Sequence, residues 1–132
     1  MADLNEAVVQ RLLEGRNHAV ISTHTQDGAI HSAVVWVNVE DGMPAVNSAI
    51  GRRWPANAER DSRVTLLVYD PANPYEYVEI RGRATGRTAG ADDHIDRLAQ
   101  KYLGVDRYPF RAEGERRITY LVEPELVRHQ QQ

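Results

Sequence analysis

The chain has 132 residues, 42% apolar and 27% charged, the make-up of one ordinary globular domain over residues 1–132 with a single core. Its formal net charge of −3 argues against a general nucleic-acid binder, which is distinctly basic as a rule. The absence of cysteine excludes disulfides, thiolate catalysis, zinc ribbons and iron–sulfur clusters. The opening MADLNEAVVQ is polar and acidic, and no run approaches membrane-spanning length. The expected compartment is therefore the cytoplasm, with no membrane partner.

Asp3 to Glu6 has the spacing of a capping box. Leu4, Val8, Leu12 and Leu13 then recur at helical spacing until Gly15. His18 to Thr25 is strand-like, and Asp27-Gly28 predicts a tight hairpin turn. A second strand follows from Ile30 to Val39. After a turn at Asp41-Gly42, a third runs through Ala45 to Ser48. Pro55 suits the first turn of a short helix that ends near Asp61. Val64 to Tyr69 is an apolar run fit for a buried strand. Asp70 to Pro74 is a turn-rich linker.

The long strand from Tyr75 to Thr85 alternates clearly. Val78, Ile80, Gly82 and Ala84 face one way, and Tyr75, Tyr77, Glu79, Arg81 and Arg83 the other. A helix from about Asp92 to Leu103, a loop over Arg107 to Gly114 and a last strand from Arg117 to Val122, ended by Pro124, complete the order. The final HQQQ reads as a frayed tail. Six mainly antiparallel strands with flanking helices in so short a chain predict a small closed barrel, which leaves no exposed edge.

Two arginines, Arg52 and Arg53, stand at the entrance of the short helix. Guanidinium forks beside unpaired helix N–H groups suit a phosphate, although a solvated helix cap has the same composition. No dinucleotide fingerprint, phosphate loop or nucleophile elbow is present. A hairpin turning on Asp27-Gly28 sets His24 directly opposite His31, where two imidazoles begin a metal site, but no third ligand is spaced beside them. Glu79, Arg81 and Arg83 read as an ion-pair lattice on a sheet face. If the protein is an enzyme, the hard chemistry falls to a cofactor.

The strand HAVISTHTQDGAIHSAVVWV, the segment GRRWPANAERDSRVTLLVYDPANPYEYVEIRGRATG and LAQKYLGVDRYPF, in this order and spacing, resemble the pyridoxamine 5′-phosphate oxidase-like split barrels. Within them the chain is most similar to the actinobacterial branch that uses the deazaflavin coenzyme F420. The resemblance covers nearly the whole chain. It implies a mainly β fold, a six-stranded antiparallel split β-barrel, in a homodimer with cofactor sites between protomers. Arg52 and Arg53 match the basic role at the cofactor phosphate, and Asn57 matches an Asn at the helix. The sequence departs from many relatives at Trp54-Pro55, where a Lys or Arg often precedes the Asn turn. Trp54 then either stacks on the cofactor or packs against the barrel. The resemblance lays the ring along Ser32, Ala33, Val34, Asn47, Ser48 and Ala49, positions that plain strand packing also explains. Tyr77 matches an aromatic residue that reaches the other protomer's cofactor, or simply packs in the interface. Arg81 and Arg83 join a basic groove if the barrel brings them to Arg52 and Arg53.

The activity implied is an F420-dependent oxidoreductase passing a hydride from reduced deazaflavin to an electron-poor small molecule such as a quinone, an enone or a tetrapyrrole. The alternatives are an FMN-dependent oxidoreductase on the same fold and a non-enzymatic carrier of F420 or haem, with His24 or His31 as haem ligand. The loop Arg107-Tyr108-Pro109-Phe110 either closes part of the groove over a planar substrate or anchors the helix before it.

Overall fold

The computed structural model describes residues 3–131. In chain order the elements are α1 (Ala7–Glu14), β1 (His18–His24), β2 (Ile30–Val35), β3 (Val37–Glu40), β4 (Met43–Ala49), α2 (Arg53–Arg60), β5 (Arg63–Asp70), β6 (Asn73–Arg87), α3 (Ala91–Leu103) and β7 (Arg117–Gln130). The strands form one antiparallel sheet in the order β2-β1-β5-β6-β7-β4-β3. Among the described residues, no helix is long and apolar enough to cross a membrane.

The strand expected over Ile30 to Val39 is two strands, so the sheet has seven rather than six. The two pieces lie at opposite ends of the sheet order, yet only Trp36 separates them in the chain. The sheet must therefore roll until its two edges meet at Trp36. Val35 pairs with Ala19 of β1, and Val37 pairs with Val46 of β4. α3 clamps this crossing. The Tyr102 hydroxyl accepts from Val37 N at 3.2 Å and donates to the Asn17 carbonyl at 2.8 Å, and its ring stacks on Trp36 at 5.3 Å. Lys101 Nζ donates to the carbonyls of Leu13 and Val37, and burial pushes its ammonium down to about 8.

Inside the roll lie Leu12, Leu13, Ile21, Leu66, Val78, Ile80, Tyr120 and Val122. The alternation read from β6 holds: Val78, Ile80, Gly82 and Ala84 are buried while Arg81 and Arg83 are exposed. The capping box forms early. Asp3 N donates to Glu6 Oε1 at 3.1 Å, but the helix starts only at Ala7, and Val9 joins Leu12 and Leu13 on its buried face. Expected and observed bounds agree within two residues for β4, β5, β6 and α3.

Pro124 does not end the last strand. The β6–β7 register shifts between Arg81, which faces Leu126, and Gly82, which faces Pro124. Glu125 is thus an extra residue, a bulge that absorbs the missing proline N–H and lets pairing resume. A Cβ on Gly82 would lie 2.1 Å from the Glu123 carbonyl oxygen, so this close approach requires glycine. As a result, His129 and Gln130 pair with Val78 and Tyr77 rather than fraying. Gln131 follows without regular structure, and Gln132 lies outside the described residues.

A buried polar chain fastens α3 to the sheet. His94 faces the Asn38 Oδ1 with Nε2 at 2.8 Å and the Asn47 amide nitrogen with Nδ1 at 3.1 Å. Asn47 Nδ2 also donates to the Ala91 carbonyl, and its Oδ1 accepts from Arg117 Nε at 2.9 Å. The orientation of the Asn47 amide is thereby fixed, and it presents a donor to Nδ1. Nε2 must carry the proton and Nδ1 must accept, so the network holds a neutral imidazole. Burial pushes His94 down from 6.5 to about 4, with the guanidiniums of Arg97, Arg87 and Arg117 adding to the effect against the opposing pull of Glu40.

Gly82→Ala should destabilise the fold by about 3 kcal/mol, read as a fall in thermal midpoint of roughly 10 °C; an unchanged midpoint would show that the bulge can relax. His94 gives a pH test with a definite sign. Between pH 6.5 and 4 the unfolded chain takes up a proton that the folded chain refuses, so stability drops as pH falls through this window and is fully present above it. The loss should amount to about 3 kcal/mol. Urea unfolding across the window measures it, and His94→Gln should flatten its share of the slope.

Candidate functional site

The crossing at Trp36 leaves a gap. β3 begins with Val37 opposite Val46, so among the described residues β4 beyond Val46 has no strand beside it on that side, while β7 still pairs with Asn47, Ser48 and Ala49 on the other. β2 is an edge strand. Between these edges opens a cleft of about 210 Å³. Val34, Trp36, Ser48 and Trp54 line it, with Ile95 and Leu98 from α3, Tyr108 and Phe110 from the following loop, and the guanidiniums of Arg52 and Arg117.

Its walls are aromatic and held in register. Tyr108 meets Trp36 edge-on at 6.0 Å and Phe110 at 5.7 Å. The Tyr108 backbone N–H donates to Asp96 Oδ1 at 2.9 Å, which ties the loop to α3. Trp54 packs on Tyr120 at 5.2 Å. At the lip, Val34 is 75% and Phe110 66% exposed.

Charge in the cleft is organised around Glu115. This buried carboxylate accepts from Arg117 Nη1 at 2.9 Å and from Arg52 Nη2 at 2.9 Å. Arg117 is buried, its side chain 3% exposed, and its guanidinium sits 5.0 Å from the centre of the Tyr108 ring. Two guanidiniums against one carboxylate leave the cleft one positive charge.

Of the residues expected from the sequence, Val34, Asn47, Ser48, Arg52 and Trp54 meet in this cleft. Asn47 takes part through its position only: its amide is spent on Ala91, His94 and Arg117. Trp54 both lines the cleft and packs on the barrel. Arg53 and Asn57 line a shallow hollow beside it, with Thr25, Gln26 and Asp27. Asn57 is buried within α2, where it donates to Thr23 Oγ1 at 3.1 Å and accepts from Arg60 at 2.8 Å. Ser32 bonds Ser22 at 2.9 Å, Ala33 packs against the core and Ala49 is buried. Tyr77 lies on β6 beside Tyr69, outside the cleft.

Three expectations need correction. Thr25 N bonds the Ala29 carbonyl, so residues 25–29 form a five-residue loop and not a tight turn. His24 therefore pairs with Ile30, and His31 with Thr23. This one-residue slip sends the two imidazoles to opposite faces of the sheet, and the paired metal site read from His24 and His31 falls away. The four arginines do not converge: Arg81 pairs with Glu79 and Arg83 with Glu125 on β6 and β7. Arg117 and Trp36 escaped the sequence reading. Arg117 hides in a mixed run after Glu115 and Arg116, and Trp36 sits in an unbroken strand-like alternation.

A larger hollow, about 670 Å³, opens on the other flank of α2 between Pro55, Ile118 and Tyr120. None of the expected site residues lines it, and its arginine, Arg87, is paired with Asp41 at 2.7 Å.

No curated protein matches the sequence. Among solved structures, one described as an F420 reductase shares 23% identity, with a TM-score of 0.79 over 90% of this chain and 94% of that one. A conserved hypothetical protein from Mycobacterium tuberculosis shares 18%, with a TM-score of 0.78 over 97% and 85%. The General Stress Protein 26 from Bacillus anthracis shares 19%, with a TM-score of 0.70 over 93% and 91%. These likenesses establish the split-barrel fold. The family profile described as pyridoxamine 5′-phosphate oxidase matches residues 5–131, nearly the whole chain, and the protein belongs to that family.

Proposed function

We propose that the protein is an oxidoreductase that uses coenzyme F420 and passes a hydride to an electron-poor small molecule of the quinone, enone or tetrapyrrole kind. The observation that carries this reading is the cleft at the barrel split: open strand edges, aromatic walls and a net positive charge in one place. The family membership and the likeness to a structure described as an F420 reductase support the choice of cofactor.

The residues present fit a phosphate-bearing ring cofactor. Arg53, at the first position of α2, is exposed and makes no ion pair among the described residues, whereas Arg52 is held by Glu115. A free guanidinium at a helix start suits a phosphate better than one already paired. Arg53 would therefore hold the phosphate, with Arg52 in support. The backbone edges beside Val34 and beyond Val46 would meet the ring. Reduced deazaflavin bound there would supply the hydride. The chain binds and orients it, and the apolar walls exclude water. FMN shares the phosphate and the chain that carries it, so it is the competitor against which the cofactor is tested.

One protomer leaves the cleft open at an apolar lip, and a second copy of the chain would cover it. The outer face of the sheet carries a row of Val34, Val20 and Leu67 in direct register, none of them fully buried. Tyr69 and Tyr77 continue the apolar surface. We infer a homodimer through this face.

Fluorescence titration with oxidised F420 beside FMN tests the cofactor. Preferential, saturable F420 binding is expected, and Arg53→Ala should weaken it at least about tenfold, more than Arg52→Ala does. Unchanged affinity in the double variant would reject the phosphate assignment, and preference for FMN would replace the cofactor. Light scattering should give twice the mass of the chain, and Leu67→Arg should yield folded monomer; a wild-type monomer would overturn the dimer.

A further inference from the structure

The inner end of the cleft has a feature that cofactor binding does not use. Arg117 Nε is taken by Asn47 and Nη1 by Glu115, but Nη2 has no partner among the described residues. No described side-chain nitrogen or oxygen is both sealed from solvent and unpaired, so Nη2 is not sealed off, and the residue that carries it lines the cleft. Its surroundings are Tyr108, against whose face the guanidinium lies, with Trp36, Phe110, Ile95 and Leu98. A desolvated guanidinium with a spare donor, walled by rings, is the complement of a flat molecule ending in an acceptor oxygen.

We propose that the α3 end of the cleft is a substrate site for a planar aromatic or conjugated monocarboxylate, anchored by Arg117 Nη2 and packed between Trp36 and the Tyr108–Phe110 loop. The assignment deepens the reading of the cleft as the reaction site, but the binding it predicts requires no cofactor. The charge balance supports a monoanion: Glu115 neutralises one of the two guanidiniums, leaving a single positive charge to be met. The guanidinium cannot turn away, because Asn47 holds Nε, and Asn47 is in turn fixed by Ala91 and His94. Arg117 therefore acts as a preorganised anchor, and the network behind it positions the anchor without touching the ligand.

The two tryptophans of the chain, Trp36 and Trp54, both line this cleft, so intrinsic fluorescence reports its occupancy directly. The probe is 4-nitrobenzoate, a planar monocarboxylate that quenches tryptophan, with neutral 4-nitrobenzamide as its partner. Saturable quenching by the carboxylate is expected, with the amide bound at least about tenfold more weakly. Arg117→Gln should remove the preference, and Arg117→Lys should retain part of it. Glu115→Gln, which adds a net positive charge, should tighten carboxylate binding, whereas Arg16→Gln, exposed between α1 and β1, should change nothing. If Arg117→Gln loses its circular dichroism, the lysine and Glu115 variants carry the test. Equal affinity for carboxylate and amide, unsaturable quenching, or indifference to the Arg117 and Glu115 substitutions would each overturn the site. Titrating F420 into the same proteins separates the two readings. Cofactor binding without an Arg117-dependent carboxylate preference defeats this assignment alone. Carboxylate binding without cofactor binding defeats the cofactor and leaves the anchor standing.

Discussion

Trp36 is the one residue through which the two edges of the sheet are joined. Because β2 and β3 flank it in sequence but end the sheet on opposite sides, the seven strands have to close on themselves. The closure is incomplete: among the described residues, β2 pairs only with β1, and β3 pairs only with the first part of β4. The seam is thus both the constraint that sets the barrel and the opening that forms the cleft. Tyr102 and Lys101 secure the crossing by meeting the backbone groups of Val37 and stacking on Trp36. Unpaired strand edges normally invite aggregation. Here they open onto a cleft walled by α3, by Trp54 of α2 and by the aromatic loop.

The polar interior follows from the same geometry. α3 must cross the seam, and it does so by sending His94 into the sheet between Asn38 and Asn47. Each member of the chain fixes the next. The neutral His94 accepts from Asn47, the orientation of Asn47 offers its carbonyl to Arg117, and Arg117 with Glu115 sets the charge of the cleft. A protonated His94 would face the Asn47 donor with a second donor. The electrostatics at the opening therefore rest on a proton being absent from a residue that never reaches it.

Much of this architecture was legible in the residues. The alternation of β6, the helical spacing of α3 and the apolar run of β5 all mark real elements, because burial on one face leaves a periodic trace. Three features left no such trace. The break at Trp36 keeps inward Val35 and Val37 in phase, so one strand and two look alike in sequence. Pro124 reads as a stop because the bulge that absorbs it is set by Gly82, more than forty residues away on another strand. The loop after β1 carries a valid Asp-Gly signal but closes with five residues, and a shift of one residue exchanged the faces of His24 and His31. For the site, the helix-entry arginines were visible as a pair, but their different roles were not. Only the fold brings Glu115 to Arg52 and leaves Arg53 free. Arg117, an ordinary cation in a mixed run, is fixed by Asn47 from another strand as well as by Glu115 two residues before it.

The chemistry that such a cleft can support is limited by what lines it. Its ionisable groups are two guanidiniums and the phenol of Tyr108, with Glu115 behind them held between two cations. Guanidinium does not deprotonate in proteins, so it is a poor proton donor but a durable anchor. The cleft therefore offers position and fixed charge, the share of catalysis a protein contributes when a cofactor carries the bond-making step. The arrangement also separates two kinds of anion by where the cations sit. Arg53 lies outside, exposed and free to meet a well-hydrated phosphate. Arg117 lies inside, desolvated and fixed, where only a flat ligand that has shed its water can reach it. Two anions of different shape need not compete for one cation, which is the condition under which the proposed cofactor and substrate would be held together.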